Sequence, residues 1–105
     1  MRTIPSYYNE RQARVIKALA DKGLVLRTDP RMRADYRVTG DQVVLNLDVA
    51  EQLFCPENLE IVDVLTKKGY VQRGWEGGNM TPGNYRVLAD QVYLDLAVVE
   101  DLLKN

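Results

Sequence analysis

The sequence predicts an α+β fold in which one unit, a helix–strand–β-hairpin–short-helix arrangement, occurs twice in tandem. The chief observation is internal similarity, since residues 36–54 and 85–103 match at eleven of nineteen positions at an offset of 49. One such unit offers too little apolar surface to fold stably alone. We therefore expect a single domain, 1–105, in which two repeats, about 9–54 and 56–105, pack about a pseudo-two-fold axis.

Each copy opens with a predicted helix that stops at a glycine. Gly23 and Gly69 match at an offset of 46, and a glycine after a helix is typical of a left-handed cap. Asn9 with Gln12 three residues on resembles a capping box at the start of the first helix. Pro56 suits the first helical position of the second helix, because the N–H of that position has no partner within the helix.

Each copy then predicts a strand and a β-hairpin whose register follows from its turn. Gly40-Asp41 is a two-residue turn signal, whereas Ala89 replaces the glycine in the second copy and leads us to expect another turn type there. The six predicted strands can form one continuous sheet or two small ones. The pairs that this register places on the core face are Val38 with Val43, Tyr36 with Leu45, Val87 with Val92, and Tyr85 with Leu94.

The same register directs two arginines to the solvent face. Arg37 and Arg86 recur at the same place in both copies, and Arg86 lies opposite Tyr93, where a cation–π contact can form. The arginine stems can simply pack on the sheet, or the two arginines can share a binding role. We keep both alternatives and include Arg37, Arg86 and Tyr93 among the candidate partner-binding residues.

The loops differ most between the copies, and the second loop is the stronger candidate for binding. It is three residues longer, because the offset grows from 46 to 49, and Gly74–Gly83 holds the only tryptophan. Trp75 in a glycine-rich loop is typical of a binding hot spot, although it can also fold back over the sheet. With Trp75 we assign Arg73, Asn79 and Met80 to partner binding, and we expect Trp75→Ala to weaken binding by more than about 1 kcal/mol.

Composition excludes several classes of chemistry. The chain has no histidine, which rules out Ser-His-Asp and Cys-His catalysis and the common zinc ligand sets. It shows no nucleophile–base pair and no phosphate-binding glycine motif, so we expect neither an enzyme nor a cofactor. The lone Cys55 cannot form an intrachain disulfide, and no apolar run reaches membrane-spanning length. We therefore expect a cytoplasmic protein with no membrane association.

The N-terminal half is basic, with eight basic and three acidic residues between positions 11 and 37. Residues 19–39 resemble the end of the recognition helix and the wing of MarR-type winged-helix repressors, over about a fifth of the chain. The resemblance implies that Arg27, Arg31 and Arg33 would contact the DNA backbone or minor groove. We interpret it as shared local geometry, because only about 18 residues precede the segment.

These observations lead to two hypotheses for function. We expect a small non-enzymatic protein-binding module, an adaptor, regulator or inhibitor of a larger bacterial or viral machine, because no catalytic set is visible and the net charge is −1. A duplicated fold can also pair with its own copy as a homodimer. The alternative is a nucleic-acid-binding regulator that uses the basic N-terminal half in a winged-helix-like manner and binds with strong salt dependence. Its phosphate-contacting residues would be Arg14, Lys17, Arg27, Arg31 and Arg33.

Overall fold

The computed structural model describes residues 8–29, 31–55 and 59–104, with the backbone alone at Trp75, Glu76 and Met80. Its four helices and six strands confirm the predicted α+β class. In chain order the elements are α1 (Glu10–Asp21), β1 (Tyr36–Thr39), β2 (Gln42–Asn46), α2 (Leu47–Phe54), α3 (Ile61–Lys67), β3 (Gly74–Glu76), β4 (Asn79–Thr81), β5 (Tyr85–Leu88), β6 (Gln91–Asp95) and α4 (Leu96–Leu103). Within the described part of the chain, no helix is both long and apolar enough to cross a bilayer.

Two hairpins, β1–β2 and β5–β6, join into one antiparallel sheet with the strand order β1-β2-β6-β5. Every predicted hairpin pair is confirmed, as illustrated by Val38 opposite Val43. The central strands β2 and β6 come from the two segments of similar sequence, 36–54 and 85–103, and pair with Val44 opposite Tyr93. Because an isolated hairpin is only marginally stable, this central pairing supplies the extra strands that each hairpin needs.

The prediction of a strand between the first helix and the loop is wrong for both halves of the chain. Each segment makes only one isolated parallel bridge, Leu26 with Tyr36 and Gln72 with Tyr85. Two short strands, β3 and β4, form instead within the second loop and make a separate two-stranded sheet. The strands are therefore divided between two sheets of unequal size.

Side chains replace the missing ladder bonds beside each bridge. The Val25 N–H donates to Asp35 Oδ2 at 2.8 Å, and the Val71 N–H donates to Asn84 Oδ1 at 2.9 Å. A backbone donor that bonds to a side chain is withdrawn from the β-ladder. The apolar pattern of these two segments consequently does not lead to a full strand.

A capping box starts α1, as predicted. Asn9 Oδ1 accepts from the Gln12 N–H at 2.8 Å, and Gln12 Oε1 accepts from the Asn9 N–H at 2.9 Å. The buried Gln12 amide also donates to the Gly40 carbonyl at 2.7 Å, which ties α1 to the first hairpin turn. Gly23 follows α1 at φ 86° and Gly69 follows α3 at φ 91°, so both predicted glycine caps are confirmed.

Two details of the second copy differ from expectation. Helix α3 begins only at Ile61, and Pro56 lies outside the described residues. Ala89 has φ 56°, which matches φ 57° at Gly40, so the expected change of turn type is wrong. The register explains this conformation, because it leaves only two residues in each turn and such turns need positive φ.

All four helices pack on one face of the four-stranded sheet and enclose the core with it. The strand residues of that face are buried together with apolar residues from every helix. Helix α1 packs against α4, where Arg11 and Glu100 form an ion pair at 2.5 Å, and α2 packs against α3. Inside the core, the Tyr36 hydroxyl donates to the Ile16 carbonyl at 3.3 Å. The opposite face of the sheet carries no helix in the part of the chain that is described.

Candidate functional site

One row of side chains crosses the helix-free side of the four-stranded sheet, which we call the open face. The row takes one residue from each strand: Arg37, Val44, Tyr93 and Arg86. Val44 is only 4% exposed although it does not belong to the core cluster, and its neighbours across the strands are Arg37 and Tyr93. The predicted position of Arg86 opposite Tyr93 is confirmed, and the cation–π contact between them stays a prediction.

This row is positively charged at both ends and uncharged in the middle. Arg37 is exposed and Arg86 is half-buried, and neither has an ion-pair partner among the residues described. Between them lie Val44 and the half-buried Tyr93. An apolar and aromatic centre flanked by arginines matches the residue types that dominate the energetics of protein interfaces.

The second half of the chain builds what we call the closed corner, formed by Arg73, Gly83 and Asp95. The Arg73 guanidinium donates to the Gly83 carbonyl at 2.9 Å and to Asp95 Oδ1 at 3.4 Å. The backbone is tightly packed here, since a Cβ on Gly83 would lie 2.5 Å from the Arg73 nitrogen. Arg73, one of the predicted partner-binding residues, thus uses its guanidinium for contacts within the fold.

The first half has Arg27, Ala34 and Asn46 at the matching positions, by the offsets of 46 and 49. We call these three residues the open corner. The neutral Asn46 side chain donates to the Ala34 carbonyl at 3.4 Å. Arg27 has no ion-pair partner within the described residues. The open corner therefore keeps the arginine of the closed corner and lacks its carboxylate.

A groove of about 440 Å³ lies beside the open corner and gathers the three arginines of the predicted wing. Its lining includes Arg27, Arg31, Arg33, Asp35 and Asn46. Arg31 lies 3.6 Å from Asp29 in an exposed ion pair, which contributes little to stability. A smaller adjoining pocket shares Arg27 and Asn46 and is also lined by Arg37 and Val44. The groove therefore borders the open face.

Other predicted residues lie away from this groove. Arg14 and Lys17 are exposed on α1 and do not line it, so the alternative set of nucleic-acid-binding residues is divided between two places. In the β3–β4 hairpin, Trp75 lies opposite Met80, and Asn79 is exposed. The predicted partner-binding residues thus fall mainly into two groups, the β3–β4 hairpin and the open face.

Three residues of this region were not among those predicted: Val44, Asn46 and Asp95. Val44 reads as one more apolar strand residue, and only the order of the strands shows its place in the row. For Asn46 and Asp95, the sequence itself contains an indication of their role. Asn46 and Asp95 occupy matching positions, and so do Asp35 and Asn84, so the carboxylate changes place between the two segments while Arg27 and Arg73 are both retained.

The chemistry available at this site is the binding of anionic or apolar groups. Among the described residues, no three His, Cys, Asp or Glu side chains are grouped so as to hold a metal ion. Burial raises the pKa of the Cys55 thiol, which keeps it protonated and poorly nucleophilic at neutral pH. Guanidinium groups, in contrast, form strong charge-assisted bonds with carboxylates and phosphates. No family model matches the chain, and neither a curated protein nor a solved structure matches it.

Proposed function

We propose that the chain is a small non-enzymatic protein-binding module, an adaptor, regulator or inhibitor, that docks a partner protein on its open face. The observation that supports this best is the row of Arg37, Val44, Tyr93 and Arg86 on a sheet face that no described helix covers. Tyrosine and arginine are enriched among the residues that dominate interface energetics. Two guanidinium groups that form no ion pair with any described residue favour a partner surface that is rich in carboxylates.

Nucleic-acid binding is the alternative, and the grouping of Arg27, Arg31 and Arg33 in one groove favours it. Two observations weigh against it: Arg14 and Lys17 lie apart from that groove, and the net charge is −1. Affinity for nucleic acid rises with the number of phosphates that are neutralised together, so a divided basic set weakens it. Nucleic acid is therefore one outcome of the experiment below.

We also propose an architecture that accounts for the open face. In it, two tandem repeats are related by a pseudo-two-fold axis between β2 and β6. Reciprocal hydrogen bonds support it: the Leu47 N–H donates to the Asp90 carbonyl at 2.7 Å, and the Leu96 N–H donates to the Asp41 carbonyl at 2.6 Å. The two bonds are related by the offset of 49. Residual dipolar couplings measure how the two hairpins are oriented relative to one another. Once one hairpin is superposed on the other by a two-fold rotation, the couplings of both should fit one alignment tensor, and a misfit would exclude the axis.

A reducing cytoplasm is the location that we propose. Cys55 is the only cysteine, and its half-buried thiol is free. Disulfides are the usual staples of small secreted domains, and this chain cannot form one internally. Fractionation of the source cells tests this location, and recovery of the protein with membranes or in the medium would contradict it.

Site-specific photo-crosslinking tests the docking surface. A photoreactive phenylalanine analogue replaces Tyr93 on the open face in one variant and Ala97, an exposed residue of α4 in the helical layer, in the control. We expect position 93 to give a protein adduct in source lysate that survives nuclease. The adduct should be lost when Arg37→Glu and Arg86→Glu are added, because charge reversal repels an acidic partner.

Three results would contradict the proposal. Adducts from the Ala97 position alone would move the docking surface to the helical layer. A nuclease-sensitive adduct at position 93 would favour the nucleic-acid alternative. A cross-link between two copies of the chain would show that the open face forms a homodimer interface and does not bind a different protein.

A further inference from the structure

The open and closed corners differ in where the nearby carboxylate lies: Asp95 belongs to the closed corner, whereas the first half has Asp35 at the position that matches Asn84. Position 46 holds an asparagine where position 95 holds an aspartate, while Arg27 and Arg73 are retained. We propose that the open corner is a binding site for a carboxylate side chain of the partner's acidic segment. This inference rests on the function proposed above, and it adds the contact that fixes the partner's position on the open face.

The closed corner shows what an arginine at this place binds. The Arg73 guanidinium reaches Asp95 Oδ1 at 3.4 Å and the Gly83 carbonyl at 2.9 Å. The Arg73 and Asp95 side chains are only 25% and 33% exposed, so water screens their attraction less than it would at the surface. The second half thus supplies its own carboxylate to its own arginine.

The open corner lacks that internal carboxylate. Asn46 is neutral, and its amide already donates to the Ala34 carbonyl at 3.4 Å. Asp35 lines the same groove, but its carboxylate accepts from the Val25 N–H at 2.8 Å and forms no ion pair with Arg27 among the described contacts. Arg27 is half-buried. A carboxylate from outside would complete the arrangement that Asp95 completes in the second half.

The shape of the groove favours a peptide segment over a single ion. The groove measures about 440 Å³, and the exposed Arg31 and Arg33 line it beyond Arg27. The adjoining pocket measures only about 10 Å³, but Arg37 and Val44 line it, so the groove borders the open face. This proximity, together with the carboxylate at the closed corner, favours an acidic protein segment over the phosphates of a nucleic acid.

Fluorescence anisotropy with a labelled hexaglutamate peptide and the full chain at low ionic strength tests the site. We expect saturable binding that weakens at least about tenfold in Arg27→Gln and in Asn46→Asp. The first variant removes the cation, and the second supplies the carboxylate internally. The matched control is Arg73→Gln at the closed corner, which removes the same charge as Arg27→Gln and should leave the affinity for the peptide within about twofold of the wild type, because Asp95 and Gly83 already bind the Arg73 guanidinium.

Thermal unfolding of each variant first establishes that it is folded; if Asn46→Asp does not fold, Arg27→Gln alone decides. Wild-type affinity in the folded variants, or no saturable binding of the peptide, would overturn the site. Tighter binding of an oligothymidylate of matched charge, lost in Arg27→Gln, would overturn the carboxylate assignment in favour of phosphate. Cross-linking at position 93 that persists alongside either result would leave the proposed function intact, so the two failures can be told apart.

Discussion

The two corners of the sheet share their backbone bonds and differ in their charges. The Arg27 N–H donates to the Tyr36 carbonyl at 2.7 Å, and the Arg73 N–H donates to the Tyr85 carbonyl at 2.6 Å. At the closed corner the arginine side chain forms an ion pair with Asp95, whereas Arg27 at the open corner forms none with the residues that the structure describes. The difference teaches that two segments of similar sequence can keep the same backbone bonds while only one of them pairs its arginine with a carboxylate among the described residues.

The largest effect that we expect is a loss of stability at alkaline pH caused by Tyr36, the core tyrosine beside the open corner. Burial, with smaller effects from Tyr8 and Asp35, raises the pKa of Tyr36 to about 12. An unfolded tyrosine titrates near pH 10, so the unfolded state loses its proton first as the pH rises. The free energy of unfolding should therefore be nearly unaffected below about pH 10 and fall as the pH rises through 12, by about 3 kcal/mol in total.

Urea unfolding at a series of alkaline pH values measures this loss, with Tyr36→Phe as the control. The variant loses the hydrogen bond to the Ile16 carbonyl, which costs about 1 kcal/mol at neutral pH. It should also lose the alkaline dependence that the buried hydroxyl contributes. The same steep alkaline loss in the variant would show that Tyr36 is not its source.

An intermediate effect is expected at Gly83, where the corners differ in backbone packing. Gly83→Ala should lower the free energy of unfolding by about 2 kcal/mol, because the added Cβ would meet backbone atoms of Arg73 and Val71 at 2.5 Å and 2.7 Å. Ala34 already carries a Cβ at the matching position, so Ala34→Gly should cost less than about 1 kcal/mol. Chemical denaturation measures the free energy of unfolding of both variants. Equal losses would contradict the difference in backbone packing between the two corners.

A smaller effect is expected at the hairpin turns, where the two halves share a conformation and differ in residue. Ala89→Gly should stabilise the protein by about 1 kcal/mol, since glycine relieves the strain of φ 56°. Gly40→Ala should destabilise it by a similar amount, because it introduces the same strain at φ 57°. Thermal unfolding of both variants measures these opposite shifts, and a destabilised Ala89→Gly would mean that the second turn has another conformation.

The hairpins could be predicted from sequence because alternation and a two-residue turn leave one register that buries Val38 with Val43. The turn at Ala89 could not, because strand pairing on both sides overrides the preference of alanine for negative φ. The strand predicted before the first loop failed for a different reason. The Asp35 carboxylate takes the Val25 N–H, and apolar periodicity gives no sign of such a bond.

The candidate site could be predicted only in part. Strand periodicity places Arg37, Arg86 and Tyr93 on the solvent face, and the sheet brings them into one row. That row depends on β2 pairing with β6, two strands far apart in the chain whose contact no local rule fixes. The role proposed for Asn46 depends in the same way on its place beside Arg27, which is a tertiary relation.

An NMR titration that follows the arginine Nε–Hε signals compares the two corners most directly. Hexaglutamate peptide is added to the full chain, and each arginine signal is assigned by substitution. We predict that the Arg27 signal shifts to saturation while the Arg73 signal stays in place, because Asp95 and Gly83 already bind the Arg73 guanidinium. An Arg27 signal that does not move, or an Arg73 signal that moves equally, would contradict the assignment of anion binding to the open corner.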